Sequence, residues 1–335
     1  MYLNWRSALR MSMSVVVLAL VTPVVASGGT PALALTGYIE DGTSPAMIGR
    51  SASALRTVGV DGINLVAAGD GVTTPDSSVL TLLATAHSDG LRGELLVGNF
   101  DNAINDFSTS LAHSLLDSAF NMRSVTAQLA HIVESEGWDG ITVDLESLAA
   151  RDRNGLVAFL TMLRDALPGS RSISVDVQAS TTLSGYEQSG YDLSSIGRIV
   201  DRVVLMAYDQ HGPWSGPGPI GALDWQRQSL KVLLTRVSAA KVDLGVAGYG
   251  YTWPPGSRMH DGNTISDVQA RRLVARSHVS AHWDPSSGEW TARLRNGTHL
   301  WWSDLRSYRL RVALASSLHL HGLAIWQLAS VDPLG

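Results

Sequence analysis

Residues 138–146, Trp138-Asp139-Gly140-Ile141-Thr142-Val143-Asp144-Leu145-Glu146, form a short strand pattern with two acids at its end. Side chains alternate across a strand with period two, so Thr142, Asp144 and Glu146 share one face and Ile141, Val143 and Leu145 share the other. The apolar set suits a covering layer of helices. The polar set ends in two carboxylates close enough for one to raise the pKa of the other by like-charge repulsion. One of the pair can then stay protonated and serve as an acid, which cleavage of a glycosidic bond needs because the leaving oxygen must receive a proton. Met by itself, a D-x-E triplet is more often a pair of strand-end acids held by arginines, so the surrounding chain has to decide.

Outward from this stretch, short β-branched runs alternate with longer amphipathic ones, the pattern of parallel strands separated by helices. Eight such runs are present: Leu35 to Ile39, Gly62 to Ala67, Gly93 to Gly98, Gly140 to Glu146, Ser172 to Val177, Arg202 to Tyr208, Val242 to Ala247, and Gly322 to Trp326. Eight parallel strands predict an α/β fold of the (β/α)8 type, a TIM barrel, whose active sites lie at the C-terminal ends of the strands. Met122 to Ser135 and Gly155 to Leu167 carry apolar residues at helical spacing, and Pro168-Gly169 stops the second of them. Between the seventh and eighth runs, Pro254-Pro255-Gly256 opens a segment too long for a plain connecting loop. Ser266 to Ser277 reads as a helix capped by Ser266, and Ala281 to Trp302 as hairpin strands turning at Ser286-Ser287-Gly288 and Asn296-Gly297. The expectation is a small α+β insertion at about 256–304 on the loop face of the barrel. The chain stops nine residues after Trp326, leaving little for an eighth helix.

The 335 residues are 45% hydrophobic and 16% charged, enough for one large barrel. With 25 basic and 30 acidic residues, a formal charge of -5 and no block of like charge, a nucleic-acid partner is not expected. There is no cysteine, hence no disulfide, thiolate nucleophile or thiolate metal site. Arg6 and Arg10 precede an apolar stretch from Met11 to Val21, followed by Pro23 and small residues, which is the layout of an export signal. It is either cut, after Ala26 or after Ala34, or kept as an N-terminal anchor. Residues 1–34 are therefore taken as signal peptide and short lead-in, and 35–335 as the barrel. The protein is expected to be secreted or cell-wall associated, with no stable membrane insertion of the mature part. Removal of residues 1–26 carries the formal charge from -5 to -7, which disfavours attraction to anionic wall polymers.

The 138–146 stretch resembles glycoside hydrolase family 18, whose signature D-G-x-x-x-D-x-E lies on the fourth barrel strand, and here it falls on the fourth run. The resemblance extends from Leu35 to Trp326 and is nearest to the branch of spore-cortex-lysing N-acetylglucosaminidases. Leu96-Val97-Gly98-Asn99-Phe100 looks like that branch's third-strand end, and Met206-Ala207-Tyr208-Asp209 like the family's M-x-Y-D. Gly248-Tyr249-Gly250-Tyr251-Thr252-Trp253 looks like its seventh-strand exit, and Trp301 to Ser307 like the end of its insertion.

The resemblance implies that Glu146 is the general acid and later the base, and that Asp144 orients the substrate's own acetamido group, which is the nucleophile. This substrate-assisted route lies outside the two-carboxylate scheme and gives retention through two inversions. By the same resemblance Tyr208 holds the acetamido group and Trp326 forms the floor beneath the reacting sugar. The further substrate-binding candidates are Tyr38, Asn99, Gln178, Asp209, Trp214, Tyr249 and Trp253. Many chitinases of the family have an acid where this chain has Thr142, so the tuning of Asp144 must differ here. The expected substrate is a glycan containing N-acetylglucosamine, cut at β-1,4 bonds after that sugar. Resemblance to the cortex-lytic branch favours peptidoglycan; chitin oligosaccharides and a non-catalytic glycan-binding barrel are the alternatives. Gly245 to Gly250 continues a strand without opening a helix, and His319 and His321 lack a matching carboxylate cluster, so neither a phosphate loop nor a metal pair is read and no cofactor is expected.

Overall fold

A computed structural model describes residues 33–256 and 261–334, so the expected export signal lies outside the described residues. Eight parallel strands close into a barrel in sequence order: β1 (Ala34–Glu40), β2 (Thr57–Asn64), β3 (Arg92–Gly98), β4 (Gly140–Asp144), β5 (Ser172–Gln178), β6 (Arg202–Met206), β7 (Val242–Ala247) and β8 (Gly322–Trp326), with β8 returning to β1. Ile141, Val143, Ile173, Val175 and Val203 are buried on the helix side, as period-two alternation requires.

The second strand is displaced from the expected Gly62–Ala67. Gly59 and Gly62 break the β-branched pattern and disguise the strand, yet both are close-packing positions. A Cβ at Gly59 would stand 2.4 Å from the Tyr38 ring, and one at Gly62 2.7 Å from Val79. The register against β3 shifts between Asp61 and Ile63, a bulge that re-aims the strand end. Leu65 has already left the barrel and bridges to Val72.

Strands β4 and β6 end two residues earlier than expected, and for one reason. Ser147 and Asp209 adopt left-handed backbone (φ 56° and 57°), a conformation costly for non-glycine residues, and turn the chain sharply just beyond the strand ends. Glu146 and Tyr208 therefore sit past the last ladder bonds, at the mouth of the barrel.

The outer ring follows ordinary helix chemistry. The helix Ala119–Glu136 starts at Ser118, whose hydroxyl accepts from the Asn121 N–H, and ends at Gly137 with φ 83°. The helix Arg153–Ala166 buries Leu156, Phe159, Leu160 and Leu163 at helical spacing. Each such side chain contributes about 1.5–3 kcal/mol by leaving water. Residues 327–334 form no helix; Leu328, Val331 and Leu334 fold back onto the core.

The insertion is larger than its expected bounds. Its sheet has five strands in the spatial order Asn263–Ser266, Tyr249–Trp253, His299–Trp302, Glu289–Arg293, His282–Asp284, so the seventh-strand exit is itself an interior strand of the insertion. The helix Asp267–Arg276 is capped by Ser266 in a reciprocal pair with Gln269. Ile265, Ala270, Ala292, Leu300 and Trp302 make a core of its own. A buried ion pair ties the insertion to the barrel. The Glu289 carboxylate accepts from the backbone N–H of Ile220 (2.7 Å) and Gly221 (2.9 Å) and from Arg311 (3.2 Å). Arg311 also donates to the carbonyls of Gly221, Ser287 and Gly288 and to Gln226. Burial pushes the Glu289 carboxyl upward, and Arg311 with the two backbone donors offsets it.

Candidate active site

The C-terminal strand ends surround a cavity of about 290 Å³ lined by Glu40, Asp61, Asn64, Phe100, Phe107, Asp144, Glu146, Asp176, Tyr208, Asp209 and Trp326, among others. The structure thus brings Asp144, Glu146, Tyr208, Asp209 and Trp326 together from strands β4, β6 and β8.

Glu146 is fixed by two amides. Asn99, at the end of β3 and fully buried, accepts the Glu146 N–H at 2.8 Å and donates to its carbonyl at 2.9 Å, with a further bond to the Ser108 carbonyl at 3.0 Å. Gln178, at the end of β5, donates to the carboxylate at 3.0 Å. Burial dominates the electrostatics and raises the Glu146 carboxyl from 4.5 to about 7, with Gln178 pulling down and Asp209 and Asp106 pushing up. This is a carboxyl poised to hold a proton near neutral pH.

Asp144 is 6% exposed, and its Oδ1 is buried without a hydrogen-bond partner. Burial holds its carboxyl well above the usual carboxylate range, reinforced by repulsion from Glu146, Asp176 and Asp61. A buried carboxyl oxygen without a partner, on a residue that lines a cavity, leaves this side chain with acceptor capacity unused.

Asp209 accepts from the hydroxyls of Tyr249 (2.6 Å) and Tyr251 (2.9 Å), and Tyr208 packs edge-on to Tyr249 at 6.4 Å between centroids. Trp326 is partly exposed on the cavity wall and tilts against Tyr38 at 5.7 Å. Trp214, 43% exposed, meets Tyr251 edge-on at 5.7 Å outside the cavity lining. The remaining candidates stand behind the cavity. Tyr38, Asn99, Tyr249 and Trp253 are buried; the Tyr38 hydroxyl donates to Asp176, and the Trp253 indole N–H reaches the carbonyls of Gly212 and Ser215, tying down the loop that carries Trp214.

Several lining residues escaped the sequence reading, Asp176 above all. The signal was present, since Ser174, Asp176 and Gln178 share the inward face of β5 by the same period-two rule that selected Asp144 and Glu146. A polar layer beneath was also missed. Arg202 is hydrogen-bonded to Glu94, which accepts from Thr142 (3.4 Å), Ser172 (2.6 Å) and Ser174 (3.2 Å). Asp243 lies 3.9 Å from Arg202 and is hydrogen-bonded to His321 at 2.7 Å, which accounts for that histidine. Among the described residues no group of three or more His, Cys, Asp or Glu is placed to hold a metal ion, and no helix is long and apolar enough to cross a membrane.

Comparison with known proteins gives a consistent kinship. The family profile described as "Glycosyl hydrolases family 18" matches residues 78–330. The chain is 29% identical over 230 residues to the sporulation glycosylase YdhD of Bacillus subtilis, covering 66% of this chain and 54% of that protein. It is 26% identical over 251 residues to the cortical fragment-lytic enzyme of Bacillus subtilis, covering 71% of this chain and 57% of that protein. The chain therefore spans little more than half the length of these two relatives. Among solved structures, the chitinase of Chromobacterium violaceum superposes with a TM-score of 0.81 at 26% identity, covering 90% of this chain and 96% of that one.

Proposed function

This chain belongs to glycoside hydrolase family 18, and from that premise we propose that it is an exported N-acetylglucosaminidase that cuts β-1,4 bonds after N-acetylglucosamine in peptidoglycan, using the substrate's acetamido group as nucleophile. The observation that carries the reading is the pairing of two unlike carboxyls: Glu146, raised to about 7 and held through its backbone by Asn99, beside Asp144, which lines the same cavity and whose Oδ1 is buried without a partner.

The chemistry follows from that pair. Glu146 gives its proton to the glycosidic oxygen as the acetamido oxygen attacks the anomeric carbon, closing a cyclic oxazolinium and expelling the leaving sugar. Asp144, as the anion, accepts the acetamido N–H while positive charge develops there, and the Tyr208 hydroxyl supports the acetamido oxygen. Glu146, now ionised, takes a proton from the water that opens the ring, and the second inversion restores the original anomer. Trp326 offers an apolar face on which the reacting sugar rests.

Peptidoglycan as substrate is favoured by the similarity to the cortical fragment-lytic enzyme, and export by the Arg6–Ala34 layout. A second reading, chitin oligosaccharides, is favoured by the chitinase likeness across 90% of the chain. The test is digestion of purified cell wall and of chitin oligomers side by side, with product masses read from both. Products ending in reducing N-acetylglucosamine from wall support the proposal, and cleavage confined to chitin oligomers supports the second reading. Binding without cleavage of either, matched by an unaltered Glu146→Gln variant, would mean a glycan-binding barrel.

A further inference from the structure

Six carboxyls line one cavity with no cation among the lining residues, and three of them, Asp144, Glu146 and Asp176, come from the ends of the adjacent strands β4 and β5. Asp144 and Asp176 lie inward on neighbouring strands, following the register pairs Thr142–Ser174 and Val143–Val175, and both line the cavity with Glu146. Asp144 and Asp176 are at most 6% exposed. The groups that face Asp176 are Tyr38 from β1, Glu94 from β3, Asp144 and Glu146 from β4, Arg202 and Tyr208 from β6, and Tyr191 from the segment after β5. Arg202 is the one cation of that set, and its guanidinium is already bonded to Glu94 and close to Asp243 in the layer below. Two anions side by side in so dry a place repel strongly, so the cluster keeps protons.

The proposed chemistry already fixes two of the three protonation states: Glu146 must hold a proton, and Asp144 must be free to accept one N–H. The third residue then has a definite task. We propose that Asp176 is a positioning residue that carries a proton so that Asp144 can be the single anion of the cluster. The Tyr38 hydroxyl donates to Asp176 Oδ1 at 3.2 Å, which makes that oxygen an acceptor and leaves the other to bear the proton. Burial and repulsion by Glu146 and Glu94 push the Asp176 carboxyl well above the carboxylate range, in the direction this role requires. Thr142, a residue without a charge, stands where it can do no such work; its hydroxyl is turned down onto Glu94. The role rests on the proposed acetamido mechanism, but the protonation state of Asp176 can be read without it.

The experiment uses the full chain and the Asp176→Asn, Asp176→Leu and Glu146→Gln variants. The infrared difference between wild type and Asp176→Asn, taken about one pH unit below the Glu146 titration, is expected to show the loss of a protonated carboxyl. Loss of an ionised carboxylate would overturn the proposal. On acetylated chitin oligomers, Asp176→Leu is expected to lose about 10²-fold in kcat with KM nearly unchanged and to move the acid limb of the pH profile upward, because an apolar side chain beside Asp144 solvates its anion less well than a neutral carboxyl does. Asp176→Asn, which can still accept from Tyr38 and remains neutral and polar beside Asp144, is expected to restore most of kcat and the acid limb. Equal activity and identical pH profiles for Asp176→Leu and wild type would also overturn it. If wild type itself fails to cleave, or Glu146→Gln cleaves as fast, the mechanism is at fault, and the infrared difference still decides Asp176.

Discussion

Asn99 grips Glu146 by both polar groups of its backbone, accepting the N–H at 2.8 Å and donating to the carbonyl at 2.9 Å. A side chain at the end of the neighbouring strand thus sets where the carboxyl stands. Asn99→Ala removes these bonds and the one to Ser108 from a fully buried site. It is expected to cost on the order of 2–3 kcal/mol of stability and, by letting Glu146 drift, roughly 10- to 10²-fold in turnover. Denaturant unfolding and steady-state kinetics check both; unchanged kcat in a destabilised variant would mean that the clamp serves folding alone.

The raised Glu146 carboxyl makes a signed prediction about pH. A group whose folded-state pKa lies above its unfolded value stabilises the fold fully below the unfolded value and loses that contribution as pH rises through the folded one. For Glu146 the window runs from 4.5 to about 7. Glu146→Gln, which cannot ionise, is therefore expected to be more stable than wild type above this window, by up to roughly 3 kcal/mol, and no more stable below it. Urea unfolding at both ends of the window reads the difference. In wild type, kcat/KM should fall as pH rises through the same value, because the general acid is lost.

The Glu289–Arg311 pair anchors the insertion. Arg311→Met leaves Glu289 buried without its cation, and a broken pair of this kind costs about 3–5 kcal/mol. Adding Glu289→Gln should recover part of the loss by removing the stranded charge. A single Arg311→Met variant within about 0.5 kcal/mol of wild type would contradict this anchoring role.

What could be read from the chain alone followed from periodicity and from motif resemblance. The alternating face of β4 placed Asp144 and Glu146 correctly, and seven of the eight strands fell within a residue or two of their observed ends. β2 failed because Gly59 and Gly62, needed for close approach of Tyr38 and Val79, look like punctuation in a linear reading. Asp176 was missed because no motif marks it, although its alternation with Ser174 and Gln178 is as regular as that of the β4 acids. Tyr38, Asn99, Tyr249 and Trp253 are expected at the substrate by resemblance, and the structure places them buried, outside the lining of this cavity. Sequence position shows that a residue is at a strand end. Which way its side chain is taken up, by substrate or by a neighbour such as Asp176 or Asp209, depends on packing between strands far apart in the chain.

The central claim is that the substrate supplies its own nucleophile, and it is tested most directly by two oligosaccharides of equal length, one fully acetylated and one lacking the acetyl group on the sugar that precedes the cleaved bond. An intramolecular nucleophile held in place is worth roughly 7–11 kcal/mol through effective molarity, and no side chain of the cavity is in a position the account assigns to replacing it. The acetylated chain should be cleaved with retention at the anomeric carbon; the deacetylated chain should bind and remain whole. Tyr208→Phe should slow the first reaction mildly without enabling the second. Cleavage after glucosamine at a similar rate, or release of the inverted anomer, would contradict the account.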